Sequence, residues 1–268
     1  MVNYVVLTLL AIFSLGPLSV LFFNSLKSVP DIARNPLGPP TIGVEWGNFP
    51  KAWALGRYAV TLRNSGLIVA ATILGVCLVA GLAAYALSRF RFRGANFLMM
   101  YLLIGTSIPA QLFMVPLFVL WKWLGLLDNL GGIVIIYCAL YSPFATFLLR
   151  SYMLTIPPDF EDAARVDGAS EWLIFTRIVV PLSWPGFLTA ALVVGLWAYN
   201  EFMFAVTFLH SDALKPVTTS FLAFASRYGR DWGMTSAGAV IMLIPIAALF
   251  LLLQRRFVEG LTQGGLRG

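Results

Sequence analysis

The sequence predicts an all-α protein that crosses a lipid bilayer six times, and three observations carry that prediction. Apolar residues make up 59% of the 268 and charged residues only 11%, where a soluble domain is about a quarter charged. Mean hydropathy is +0.85. Six apolar runs approach the roughly 20 residues a helix needs to cross the hydrocarbon core. Helix is the choice open to them, because the unpaired edges of an open sheet cannot be satisfied in lipid. We place the spans at 4–24, 65–87, 97–121, 131–153, 185–208 and 235–253, and treat 1–268 as one transmembrane domain.

The first run starts at Tyr4 with no basic segment before it and no small-x-small cleavage pattern after Phe23, so it is expected to be a retained span. Residues 25–64 follow as a loop, rich in Pro and Gly, with Trp46, Phe49 and Trp53 as candidate interfacial anchors. It is either a solvated connection or a docking surface for an external partner. Pro17, Pro109, Pro116, Pro143 and Pro245 lie inside the runs. Each removes a backbone hydrogen bond and predicts a kink, as in helices that line a cavity.

The third run is polar where a span should not be: Thr106, Ser107 and Gln111 sit near its middle. Such groups face a water-filled path or a bundle interior, or bond a neighbouring backbone. In the fifth run, Trp197, Asn200 and Glu201 stand within WAYNEF, with Trp197 one turn before Glu201. An ionisable residue inside a span marks a pathway or gate; the alternative is an acid bonded to an adjacent helix. A second loop, 209–234, is polar and aromatic. The chain closes on the tail 254–268, whose glycines predict no long helix.

Residues 155–182 are of a different kind. Asp159, Glu161, Asp162, Asp167 and Glu171, five of the twelve acids, fall within thirteen positions. Pro157 and Pro158 suit the first turn of a helix, and the acids after them sit at the positive end of its dipole. Ala163 and Ala164 propagate it and Gly168 can end it. Ser170 is a candidate N-cap for a second short helix, with Glu171 in its first turn and Trp172, Phe175 and Val179 along one face. The expected product is two short helices bent at a glycine, outside the lipid.

What the chain lacks bounds its chemistry. There is no G-x-x-x-x-G-K-[ST] loop to cradle ATP phosphates, no zinc spacing and no nucleophile elbow. His210 is the sole histidine, and Cys77 and Cys138 sit in apolar runs as packing residues. No catalytic, metal or cofactor site is expected in this chain. The net charge of +6 is spread through short loops, which points to membrane topology and lipid, not nucleic acid.

The spacing Asp162-Ala163-Ala164, Gly168, Ile178, Pro181 resembles the EAA loop of ABC-importer permeases of the sugar-uptake, maltose-permease type. Asp162 stands where glutamate is usual and Val180 where leucine is. LFMVPLFVLWKWLGLLDNLGGIVI and the aromatic-Asn-Glu-Phe run are similar to the family's third to fifth spans. The tail resembles the family's too, with Gly265 for alanine and Arg267 for lysine.

The resemblance implies a type I ABC-importer core with both termini cytoplasmic, in a prokaryotic inner membrane. Basic residues alone leave orientation tied, nine against nine, although Arg89, Arg91 and Arg93 crowd one short turn. It further implies that Glu161, Asp162, Ala163, Ala164, Asp167, Gly168, Ala169, Ser170 and Pro181 form the coupling segment. That segment would dock on a cytoplasmic ATPase, with Gly264, Gly265 and Arg267 reaching the same partner. Thr106, Ser107, Gln111, Trp197, Asn200 and Glu201 would line the substrate path or gate. Expected partners are a second permease subunit forming a heterodimer, two ATPase subunits carrying ATP and Mg, and an external solute-binding protein delivering a sugar or related polar solute. The rival is a proton-coupled carrier using Glu201. It calls for inverted internal repeats and a second intramembrane acid, and neither is visible.

Overall fold

A computed structural model describes residues 2–265, with side chains described for 3–251. Among the described residues every regular element is helical. Among the described residues four helices are long and apolar enough to cross a membrane, and the number is six if each of two bent pairs is one span. The chain divides into two compact units. One takes the residues up to Asn64 together with Ser211–Leu249; the other takes Ser65–His210.

The first unit contains α1 (Val2–Ser25), α2 (Val29–Arg34), α3 (Asn48–Leu55), the start of α4 (Tyr58–Arg89), α13 (Val217–Tyr228) and most of α14 (Trp232–Gly265). The 25–64 segment is not merely a solvated connection. Lys27 is fully buried, its Nζ donating to Asn24 Oδ1 at 3.1 Å and the Asn35 carbonyl at 2.6 Å. The Asp31 carboxylate accepts from the Thr41 hydroxyl and, at 2.9 Å, the Thr41 N–H. The Thr41 hydroxyl, then its N–H, hold Asp31 below the usual carboxylate range. Asn48 Nδ2 donates to the Ser25 and Lys27 carbonyls, each at 3.0 Å. Side-chain bonds thus replace the ladder that a loop of this composition lacks. Of the aromatic residues here, Trp46 and Trp53 are exposed.

α4 begins at Tyr58, seven positions before the expected span start. Its extra turns lie in the first unit, where Asn64 Nδ2 donates to the carbonyls of Ala213 and Lys215 at 2.8 and 3.1 Å. α14 runs to Gly265, which corrects the expectation that tail glycines forbid a long helix. A glycine costs about 1 kcal/mol in a helix interior, and no proline follows Pro245 to stop it.

The second unit holds the rest of α4, α5 (Ala95–Ser107), α6 (Met114–Leu124), α7 (Leu130–Leu154), α8 (Asp159–Val166), α9 (Glu171–Ile174), α10 (Val180–Leu182), α11 (Trp184–Asn200) and α12 (Met203–Phe208). Its core joins Val76, Ala80 and Ala84 of α4 to Ala145, Leu149 and Met153 of α7 and to Phe187, Ala190 and Val194 of α11. Alanines at these positions let helix axes approach where apolar surface alone gives lipid-embedded helices little reason to associate. Glycine goes further: a Cβ at Gly75 would lie 2.5 Å from Cys138 Sγ, and one at Gly186 2.7 Å from the Tyr152 ring. The free thiols Cys77 and Cys138 pack against this core.

Two expected spans are broken, not kinked. The third is α5 and α6 at 91°. Ile108 is extended (φ −86°, ψ 127°), as the residue before a proline prefers. Beyond Pro109 a 3₁₀ turn, Ala110–Phe113, leads into α6. Pro116 is harmless in the first turn of α6, where its N–H would have no partner. The fifth span, expected as one helix over 185–208, stops at Asn200 and resumes as α12. Upstream of it, a π-helical turn at Phe175–Val179 links α9 to α10, and the Glu171–Leu182 stretch meets α11 at 76°. Pro181 has no N–H to return to the helix, which loosens the winding there.

Candidate coupling elbow and membrane cavity

The acidic segment folds as its residue types dictate. Asp159, Glu161 and Asp162 occupy the first turn of α8. Gly168 ends it with φ +82°, a conformation that costs an L side chain about 1–2 kcal/mol. Ser170 Oγ accepts from the Leu173 N–H at 3.3 Å and so caps α9. The elbow's inner side presents Ala164 and Ala169, with Ile174, Phe175 and Val179 beyond them, to the core. Its outer side exposes Phe160, Val166 and Trp172, together with Asp162, Ala163, Asp167 and Pro181.

What holds the elbow was not legible as a motif. Glu161 is fully buried, and its carboxylate takes Arg89 Nε at 2.6 Å and Arg165 Nη2 at 3.5 Å. Arg89 Nη2 also donates to the Ile156 carbonyl at 3.1 Å, so one guanidinium ties the ends of α4 and α7 to α8. Arg165 in turn donates to Asp162 Oδ1 at 2.7 Å and to Glu171 Oε1 and Oε2 at 2.7 and 3.2 Å. The Glu171 carboxylate, bonded to it, raises the Arg165 pKa further above its ordinary range. Tyr85 Oη donates to Glu171 Oε2 at 2.6 Å. A planar fork with five donors suits a site where three carboxylates converge. In the sequence, Arg89 counted only as topology charge and Tyr85 as one more apolar residue. Their partners lie 72 and 86 positions away, so no local pattern announces them.

The second feature is a cavity of about 630 Å³ at the two breaks. Thr106, Ile108, Pro109 and Gln111 line it from the third span, Tyr141, Phe144 and Phe147 from α7, and Trp197, Glu201 and Phe204 from the fifth. The Trp197 ring lies 4.7 Å from that of Phe144 and 5.6 Å from that of Tyr141. Four of the six path residues named from sequence therefore meet. Ser107 and Asn200 do not line the cavity; their side chains donate to the Leu103 and Leu196 carbonyls of their own helices, at 3.2 and 2.8 Å, as Thr106 does to Leu103 at 2.7 Å.

Glu201 is not in mid-helix. It is extended at the end of α11 (φ −66°, ψ 129°). Its carboxylate accepts the N–H groups of Phe204 at 2.8 Å and Ala205 at 3.1 Å, and the Tyr137 hydroxyl at 2.5 Å. It thus caps α12 and bonds a neighbouring helix while lining the cavity. Tyr137, Tyr141 and Phe144 were missed; their i, i+4, i+7 spacing on α7 was the available signal. Gly264, Gly265 and Arg267 lie outside the residues whose side chains are described.

The comparisons agree with this architecture. Residues 77–263 match the family model "Binding-protein-dependent transport system inner membrane component". The chain belongs to that family. This permease is 33% identical to "Probable ABC transporter permease protein YurM" of Bacillus subtilis, over 94% of this chain and 83% of that one. It is 33% identical to "Trehalose transport system permease protein SugB" of Mycobacterium tuberculosis, over 97% and 95%. Among solved structures, it shares its fold with a chain of a bacterial ABC transporter involved in import of the acidic polysaccharide alginate. There the TM-score is 0.81 at 24% identity, covering 96% of this permease and 95% of that chain. The permease is a multi-pass membrane protein of a transport system.

Proposed function

We propose that this chain is one of two membrane subunits of an ATP-driven importer, paired with a different permease chain in a prokaryotic inner membrane and passing a saccharide inward from an external binding protein. The observation that carries the reading is the elbow from Asp159 to Ser170. It has a rigid charged interior and an exposed apolar and acidic outer side, and it is bonded to the ends of α4 and α7. A rod so fixed moves the helices with it when a cytoplasmic ATPase pair, which supplies the ATP and Mg sites, closes around its tip. Both termini lie on that side. The carbohydrate names of relatives support the substrate class, as does the cavity: aromatic rings with a few polar groups at Thr106, Gln111 and Glu201 match a sugar's apolar faces and hydroxyl rim.

The test uses proteoliposomes holding all partner subunits. Gly168→Asp inserts normally but hydrolyses ATP without uptake, because the left-handed turn is lost at the docking tip. Normal coupled uptake in that variant defeats the reading, and so does uptake driven by a proton gradient without ATP.

A further inference from the structure

The turn from α4 to α5 carries a second cavity, of about 580 Å³, that neither the elbow nor the central cavity uses. Arg91 and Arg150 line it, as do Phe90 and Phe92. No acidic side chain lines it. Arg89 is neutralised by Glu161. Arg91, and Arg93 beside it, are exposed and have no hydrogen-bond or ion-pair partner among the described residues. No side chain caps α5, so its first N–H groups add to the positive field. From this mouth α5 presents Phe97, Met100, Tyr101 and Ile104, each more than half exposed. Their i, i+3, i+4, i+7 spacing makes one continuous apolar stripe.

We infer that this is a binding site for an anionic phospholipid, with the phosphodiester headgroup among Arg91, Arg93 and Arg150 and the acyl chains along α5. The free guanidinium groups of Arg91 and Arg93, with that of Arg150 held by its Nε on the Leu87 carbonyl at 3.2 Å, stand over an apolar helix face and match the two halves of one amphiphile. Phe90 and Phe92 flank Arg91 in the cavity wall and add apolar surface beside the charge. A free phosphate satisfies the arginines but leaves the α5 stripe without a role. The inference does not depend on the coupling reading.

The experiment is native mass spectrometry of the assembled transporter, equilibrated with equal phosphatidylglycerol and phosphatidylcholine, with binding of the ATPase subunits measured in parallel. The wild type retains phosphatidylglycerol in preference. Arg91→Gln with Arg93→Gln lowers that retention about 30-fold, at roughly fivefold per basic residue lost near the headgroup. The matching Lys pair retains most of it, since the charge stays. Phe97→Ser with Met100→Ser, leaving every arginine in place, also lowers retention. Equal retention of the two lipids, or unchanged preference in the Gln pair, overturns the proposal. Displacement of phosphatidylglycerol by millimolar inorganic phosphate makes it a phosphate site and overturns the lipid assignment. Loss of ATPase binding in the Gln pair with lipid preference intact makes the turn a protein contact, which also sinks it.

Discussion

Glu161 and Glu201 stand in the same unit and are held by opposite means. Glu161, fully buried in the elbow, is bonded by the guanidinium groups of Arg89 and Arg165. Glu201, half-buried at the cavity, is bonded by a tyrosine hydroxyl and the first N–H groups of α12. An ionic clamp fixes two elements with large, steep energies and fails badly when one partner goes. A carboxylate on neutral dipoles shapes a helix end and tolerates exchange better. The first suits a joint that transmits force; the second suits a wall that must hold its shape beside a passing solute.

The largest effect is expected at the clamp. Arg89→Ala leaves Glu161 buried with only the 3.5 Å contact to Arg165, which costs about 3 kcal/mol. Its melting temperature drops in the assembled, detergent-solubilised transporter. Adding Glu161→Ala recovers part of the loss, because the stranded charge goes with its partner. Additive costs in that cycle break the contrast.

Glu201→Gln comes next. An amide offers one acceptor oxygen where the carboxylate serves three donors, so it costs about 1–2 kcal/mol. Uptake falls in part, and its dependence on ATP, not on a proton gradient, is unchanged. Abolished concentrative uptake with surviving exchange restores the proton-coupled rival.

Arg165→Lys keeps the charge and loses the fork that spans Asp162 and Glu171. The pair is partly solvated, so about 1 kcal/mol or less is at stake. The readout is the ratio of ATP hydrolysed to solute moved, which rises. A ratio equal to wild type assigns the stiffness of the elbow to packing alone.

The smallest effect concerns Asp31, held by a hydroxyl and N–H groups as Glu201 is, but in the first unit and outside the spans. Its pKa is depressed in the folded state. Its contribution is therefore complete above the ordinary carboxylate value of about 3.9 and is lost as pH falls through the lower, folded value. Amide protection factors at Thr41 and Ile42 hold at neutral pH and decline below that window. Asp31→Asn removes the pH dependence; an unaltered decline in that variant assigns it to other groups.

Local chemistry made much of this molecule legible. Pro157, Pro158, Gly168 and Ser170 act within a few residues of themselves, so the elbow's two helices, turn and cap followed from the chain. The apolar runs, set by bilayer thickness, marked the candidate spans, four of them single long helices and two of them bent pairs. Pro109 signalled a disturbance, but proline chemistry does not say whether a helix kinks or turns by 91°.

The contacts that give these elements a joint use lie beyond any sequence window. Arg89 meets Glu161 across 72 positions, Tyr85 meets Glu171 across 86, and Tyr137 meets Glu201 across 64. The sequence by itself determined which residues were charged, apolar or conformationally free, hence the spans, the elbow and the presence of polar groups at membrane depth. Only the tertiary structure decided that Glu161 is clamped to α4 and that Glu201 caps a broken helix. It also decided which of the polar groups meet, bringing Thr106 and Gln111 to one cavity with Trp197 and Glu201 and leaving Ser107 and Asn200 out of it. The physical reason is range. Propensity and capping are settled within one helical turn, whereas the partner of a buried charge is settled by which helices come to lie side by side.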